Sequence, residues 1–206
     1  MARKAGKQRP MTRNLFASPL YDGQLGDDEL LEELAYSIRM LAQDDGAGQR
    51  WSKEKGYKGY TSYASLDDLP QRDPAFDDLK RLLLKHARAF AKELAWDVKP
   101  KLDSLWVNLM KPGAVHSAHI HPHSILSGTL YVEIPKDAGA IRFEDPRLPM
   151  MMAAPVRDED APEHLRPFID IAPAAGTILL WESFLRHEVL SHNGEGERLS
   201  ISFNFA

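Results

Sequence analysis

Histidine is the residue type through which this 206-residue chain could do chemistry, because it has eight histidines and no cysteine. Without sulfur there is no disulfide, thiolate zinc site, iron–sulfur cluster or cysteine nucleophile. Any metal must then be held by nitrogen and oxygen. All the histidines but His86 lie beyond residue 115, and four crowd into Val115-His116-Ser117-Ala118-His119-Ile120-His121-Pro122-His123. On a strand, side chains two apart leave the same face, so His119 and His121 can share one metal ion. His123 has the same parity, but Pro122 is expected to break the strand before it. The competing reading is a polar strand edge with solvated imidazoles. His116 and His123 suit supporting or solvent-facing places, and His164 and His192 suit loops.

A second pattern closes the chain. Arg198-Leu199-Ser200-Ile201-Ser202-Phe203-Asn204-Phe205 alternates strictly, with Arg198, Ser200, Ser202 and Asn204 on one face and Leu199, Ile201, Phe203 and Phe205 on the other. Such alternation usually marks an edge strand with one face in water. If the polar face instead lines a barrel lumen, a buried guanidinium needs an anionic partner to offset its desolvation. A dicarboxylate ligand would supply one through a bidentate fork. Asn108 is either a lumen residue or an exposed one, while Trp181 and Phe184 read as core or lid packing. No phosphate loop, nucleophile elbow or HExxH motif is present, so nucleotide hydrolysis, serine hydrolase and zincin chemistry have no support.

The elements that must position these residues fall into two halves. Residues 1–14 read as a basic tail. Leu15 to Tyr21 reads as a short extended segment closed by Asp22-Gly23. A helix is expected from about Asp27, where acidic residues suit the positive helix end and Leu30, Leu34, Ile38 and Leu41 recur at helical spacing. It should end at Asp45-Gly46 and Gly48. Arg50 to Leu69, with Trp51, Tyr57, Tyr60 and Tyr63 among glycines, reads as a loop or short strands. A second helix begins near Pro74, with an apolar stripe from Phe76 to Leu94. Residues 15–101 are thus a largely helical scaffold. From Leu102 onward, eight short β-favouring runs (102–110, 114–120, 125–134, 140–144, 168–172, 176–181, 186–191 and 197–205) suggest a sandwich, barrel or jelly roll. The long gap 146–167 reads as a lid-like insertion over the barrel mouth.

Taken together, the run His119 to Val132, Phe143-Glu144-Asp145-Pro146-Arg147, Gly176 to Trp181, Arg186-His187-Glu188-Val189 and Arg198 to Asn204 resembles the uncharacterised bacterial and phage branch of the Fe(II)- and 2-oxoglutarate-dependent oxygenases. The likeness covers about residues 102–206. It implies a mainly β protein with flanking helices: a double-stranded β-helix, or jelly roll, packed against N-terminal α-helices in a single domain, 1–206. It implies His119 as first metal ligand, His187 as the distal histidine, and Arg198 with Ser200 as the clamp on the far carboxylate of 2-oxoglutarate. Tyr131 stands where related hydroxylases often use a tyrosine to meet that carboxylate, although ordinary core packing explains it equally well. The departure is at His121, where the family pattern has a carboxylate. Either His121 is the third ligand, or Asp145 swings in, or water takes the place.

The implied reaction is a hydroxylation coupled to conversion of 2-oxoglutarate and dioxygen to succinate and CO2, on an unidentified small-molecule or peptide substrate. The alternatives are a three-histidine cupin-type enzyme that does not use 2-oxoglutarate and a non-catalytic metal-binding barrel. Composition is that of a globular protein, with 43% hydrophobic and 27% charged residues and a net charge of -4, which argues against nucleic acid as a partner. No apolar run approaches the roughly 20 residues of a membrane helix, and the N-terminus lacks a signal-peptide apolar core, so the expected location is the cytoplasm. Oligomeric state is left open, a homodimer included.

Overall fold

The computed structural model describes residues 11–206, so most of the tail assigned to 1–14 lies outside the described residues. Helix α1 (Asp28–Asp44) starts where acidic residues predicted it, with the Asp27 carboxylate accepting from the Leu30 amide at 3.0 Å. The chain turns at Asp45 and forms α2 (Gly46–Glu54). The first helix ends at Asp44, as expected, but the glycines after it open a new helix, which Asp45 caps by accepting from the Gly48 amide. A short α3 (Leu69–Arg72) leads into α4 (Pro74–Glu93), which Asp73 caps from its side chain, with Pro74 supplying the fixed φ of a first helical position. Ser37 of α1 donates to the same Asp73 carboxylate, tying the two long helices together.

Among the described residues, ten strands form two antiparallel sheets. The larger runs in the order β1 (Leu20–Gln24), β8 (Thr177–Glu182), β5 (Leu126–Glu133), β10 (Arg198–Phe205), β3 (Leu102–Met110), β2 (Gly59–Thr61). The smaller runs β4 (His116–His119), β9 (His187–Val189), β6 (Ile141–Glu144), β7 (Phe168–Ile171). All eight strands expected beyond Leu102 are present. The extended segment expected at 15–21 forms later, at Leu20–Gln24, with Gly23 inside the strand rather than ending it. Two facing sheets with this crossover order are the jelly roll, and they are not closed into a barrel. Among the described residues no helix is long and apolar enough to cross a membrane.

The sheet alternation decides which residues face the interior. One face of the large sheet carries Val107, Leu130, Leu180, Ile201 and Phe203 into a core shared with Leu34 and Ile38 of α1 and Phe76, Leu79, Leu83 and Phe90 of α4. Covered by helices on that side, the sheet turns its other face toward the small sheet. There Tyr131, Leu179 and Trp181 meet Ile141, Phe143 and Leu185. Strand β10 is central, paired with β3 and β5, so its polar face is not the solvated edge that alternation usually signals. It lines the space between the sheets.

Candidate metal and anion site

The small sheet brings the histidines together. His119 pairs with His187 across β4 and β9. Strand β4 is irregular between His116 and His119 and ends at His119, so His121 lies just past it rather than on the same strand as expected. It still reaches the cluster, because its amide donates to the Ser183 carbonyl at 3.2 Å. Ring centroids are 5.1 Å apart for His119–His121, 4.4 Å for His119–His187 and 5.2 Å for His121–His187. One nitrogen from each of the three falls within 4.8 Å of the others.

Hydrogen bonding fixes which nitrogens are available. Nδ1 of His119 lies 2.7 Å from the Ser117 carbonyl, and Nδ1 of His187 lies 3.0 Å from that of Leu185. A carbonyl only accepts, so both imidazoles carry the proton on Nδ1 and keep an Nε2 lone pair free for a metal. Nε2 of His121 is buried with no hydrogen-bond partner, a cost a metal ion would remove. Burial holds the pKa of His121 down to about 4 and that of His187 to about 3, so both are neutral, as metal ligands must be. The residues therefore fit a divalent metal with imidazole affinity, of which iron is one.

Asp145 is not brought to this cluster. Its carboxylate accepts two hydrogen bonds from the Arg147 guanidinium, at 2.9 and 2.7 Å, and the side chain beside it keeps its pKa low. His123 sits in the turn after Pro122 with a positive φ of 72°. His164 is exposed, in a short 3-10 helix (Glu163–Leu165) rather than the loop expected of it. His192 is in a loop but fully buried, its Nε2–H donating to the Gly196 carbonyl at 3.0 Å.

A narrow cavity of about 40 Å³ leads from the histidines to Arg198. Only 2% of Arg198 is exposed. Its contacts are Ser200 Oγ at 3.2 Å, Met110 Sδ at 3.4 Å and the face of Tyr131 at 5.1 Å, and its Nε has no partner. None of these is a carboxylate, so burial lowers its pKa without a countercharge. The hydroxyls of Tyr131 and Tyr57 are also buried and unpartnered, and burial pushes the Tyr131 pKa up to about 12. A guanidinium, two phenols and a serine hydroxyl without an acceptor form a cradle for an anion. Tyr57 went unrecognised in the sequence. It lies between α2 and β2, where Trp51, Tyr57, Tyr60 and Tyr63 cluster among glycines, and that clustering was its only signal.

A family model described as "Putative 2OG-Fe(II) oxygenase" matches residues 104–204. No curated protein sequence matches the chain. Among solved structures, a Pseudomonas putida prolyl-4-hydroxylase is 19% identical with a TM-score of 0.60, over 91% of this chain and 92% of that one. The epimerase SnoN from nogalamycin biosynthesis, solved with Fe3+, alpha ketoglutarate and nogalamycin RO, is 15% identical with a TM-score of 0.63, over 91% and 78%. A viral collagen prolyl hydroxylase from Paramecium Bursaria Chlorella virus-1, solved with 2-oxoglutarate, is 13% identical with a TM-score of 0.55, over 90% and 94%. At these identities the likeness to solved structures is one of fold.

Proposed function

Because residues 104–204 belong to the 2-oxoglutarate- and Fe(II)-dependent oxygenases, we propose that the chain hydroxylates a small-molecule or peptide substrate, with iron held by His119, His121 and His187. The observation that carries this is Arg198, a buried cation with an unpaired Nε at the end of the cavity that begins at the three histidines. Arg198 and Ser200 take the far carboxylate of 2-oxoglutarate, and the Tyr131 and Tyr57 hydroxyls complete its hydrogen bonds. The Ser117 and Leu185 carbonyls hold two imidazoles in the ligating tautomer. When bound, iron and 2-oxoglutarate supply the oxidising chemistry: one atom of dioxygen enters succinate as CO2 leaves, and the other enters a C–H bond of the substrate. A three-histidine enzyme without 2-oxoglutarate would leave Arg198 buried to no purpose.

Anaerobic addition of 2-oxoglutarate to the Fe(II) protein should give a visible charge-transfer band. Arg198→Ala should abolish that band at a concentration that saturates the parent, with metal content nearly unchanged. Normal iron binding with no band in the parent refutes the proposal. Equal loss of metal from the variant overturns the division of roles.

A further inference from the structure

Among the described residues, six buried side-chain atoms have no hydrogen-bond partner, and five of them belong to residues that line the narrow cavity. His121 Nε2 suits the metal, and Arg198 and the two phenols suit the far carboxylate. The fifth is the indole nitrogen of Trp181, a residue only 2% exposed. An indole N–H donates and cannot accept. Burying it without an acceptor is costly, and a ring needed for packing alone would avoid that cost as phenylalanine.

The register of the large sheet fixes the end of the cavity that Trp181 serves. Its inward-facing residues form rows across the strands. Trp181 pairs with Ser127, and Ser127 with Asn204, whereas Tyr131 pairs with Ser200, two residues from Arg198. Between Asn204 and Arg198 lie roughly 20 Å of strand at about 3.4 Å per residue, so Trp181 and Arg198 reach one cavity from opposite ends. The Trp181 end is the histidine end, because its ring packs against that of His187 at 67° with centroids 4.7 Å apart.

The neighbouring groups leave the indole proton without a taker. The Ser127 hydroxyl, opposite Trp181 on the next strand, donates to the Asn204 carbonyl oxygen at 2.8 Å and lies 2.7 Å from Ser183 Oγ. The Asn204 amide donates to Ser104 at 3.1 Å. His187 gives its Nδ1 proton to the Leu185 carbonyl, and its other nitrogen is the one left for a metal. Phe143, at 72° and 5.2 Å, offers a ring face, a far weaker acceptor than an anionic oxygen. A wider cavity of about 280 Å³ opens on the other side of the histidines, and Trp181 does not line it. The acceptor therefore belongs to the ligand that shares the narrow cavity with Arg198.

We propose, on the basis of the oxygenase reading, that the Trp181 indole N–H donates to a carboxylate oxygen at the 2-oxo acid end of 2-oxoglutarate. Trp181 is then a co-substrate-binding residue as well as part of the core. The cavity meets each end of the dicarboxylate with a donor that the protein alone leaves idle, Arg198 at one end and Trp181 at the other.

The zinc-loaded protein tests this without turnover. The chain has four tryptophans, and the indole signal missing from the proton–nitrogen correlation spectrum of Trp181→Phe assigns the one that matters. Phenylalanine at each of the other three positions assigns it by elimination if that variant does not fold. In the parent, 2-oxoglutarate should move the Trp181 signal downfield. Glutarate, which keeps both carboxylates and lacks the oxo group, should leave it in place. By calorimetry, Trp181→Phe should bind 2-oxoglutarate about tenfold more weakly, the size of one hydrogen bond to a charged group, with zinc content and glutarate affinity unchanged. An indole signal that stays put while 2-oxoglutarate binds overturns the proposal and leaves the oxygenase reading standing. The same holds for unchanged 2-oxoglutarate affinity in the variant, for equal weakening of both diacids, as a ring that only packs would give, and for loss of zinc. No binding of 2-oxoglutarate to the zinc-loaded parent sinks the oxygenase reading and this proposal with it.

Discussion

At the scale of single residues, the histidine cluster proposed to hold a metal is a set of bases kept neutral by burial. Burial first, then the neighbouring imidazoles, hold His116 at about 4, and the same causes act on His121 and His187. In the unfolded chain these groups titrate near 6.5. As pH falls below that value, the unfolded metal-free chain takes up protons that the folded one refuses, so protons favour unfolding. Stability that is full above about pH 6.5 should drain away as pH approaches 4. Thermal melts of the metal-free protein from about pH 7 to about pH 4.5 should show a steadily falling midpoint, with His116→Gln removing part of the slope. A flat midpoint across that window would mean that the imidazoles are open to water. Of the candidate site residues, His119, His187 and Arg198 stand out in the sequence by type, and the structure brings the two histidines together with His121. Tyr57 does not stand out, since an unpartnered buried hydroxyl is a property of the surroundings and not of the residue.

At the scale of elements, the site depends on strand β5 lying flat between β8 and β10. Gly128 makes this possible: a Cβ there would run into the Phe203 ring and come within 2.6 Å of the Leu179 carbonyl oxygen and 2.7 Å of Leu180. Backbone cannot retreat as a flexible side chain can, so Gly128→Ala should cost about 1–3 kcal/mol by overpacking, read from urea unfolding. A loss below about 0.5 kcal/mol would show that the two strands separate easily. The eight strands after Leu102 were legible because each is a short β-favouring run between Gly, Pro or acidic breaks. Helix α2 was hidden because Gly46 and Gly48 are ordinarily punctuation, and only the Asp45 cap makes them helical. The alternation of β10 was legible but its direction was not: a polar face is the same pattern whether it meets water or a ligand cavity. Pairing on both sides, with β3 and β5, decides it. Where His121 falls was also beyond the sequence, because the irregularity between His116 and His119 breaks the period-two reading. The segment 146–167 joins β6 to β7 and leaves from the end of β6 beside the Phe143–His187 pair. None of its residues lines either cavity.

At the scale of the whole molecule, the fold places an unpaired cation, a lone imidazole nitrogen and two idle phenols in one interior. Such an arrangement is unfavourable for the free protein, and the proposed role of Arg198 in holding the dicarboxylate predicts opposite effects of this residue in the free and loaded states. Replacing a buried, poorly compensated charge by an apolar side chain of similar length is often stabilising by about 1–4 kcal/mol, so free Arg198→Met should melt at a higher temperature than the free parent. With zinc and 2-oxoglutarate at about 100 times its dissociation constant, the parent should gain about 2.7 kcal/mol. For a domain of this size that is on the order of 5–10 °C. Arg198→Met should gain only the increment due to zinc, so the order of the two melting temperatures narrows or inverts when the dicarboxylate is added. A guanidinium that merely supports the sheet would behave differently, lowering the melting temperature of the free variant and leaving the 2-oxoglutarate increment intact. Four melts, each protein with zinc and with or without 2-oxoglutarate, separate these outcomes, with the two metal-free proteins as the baseline.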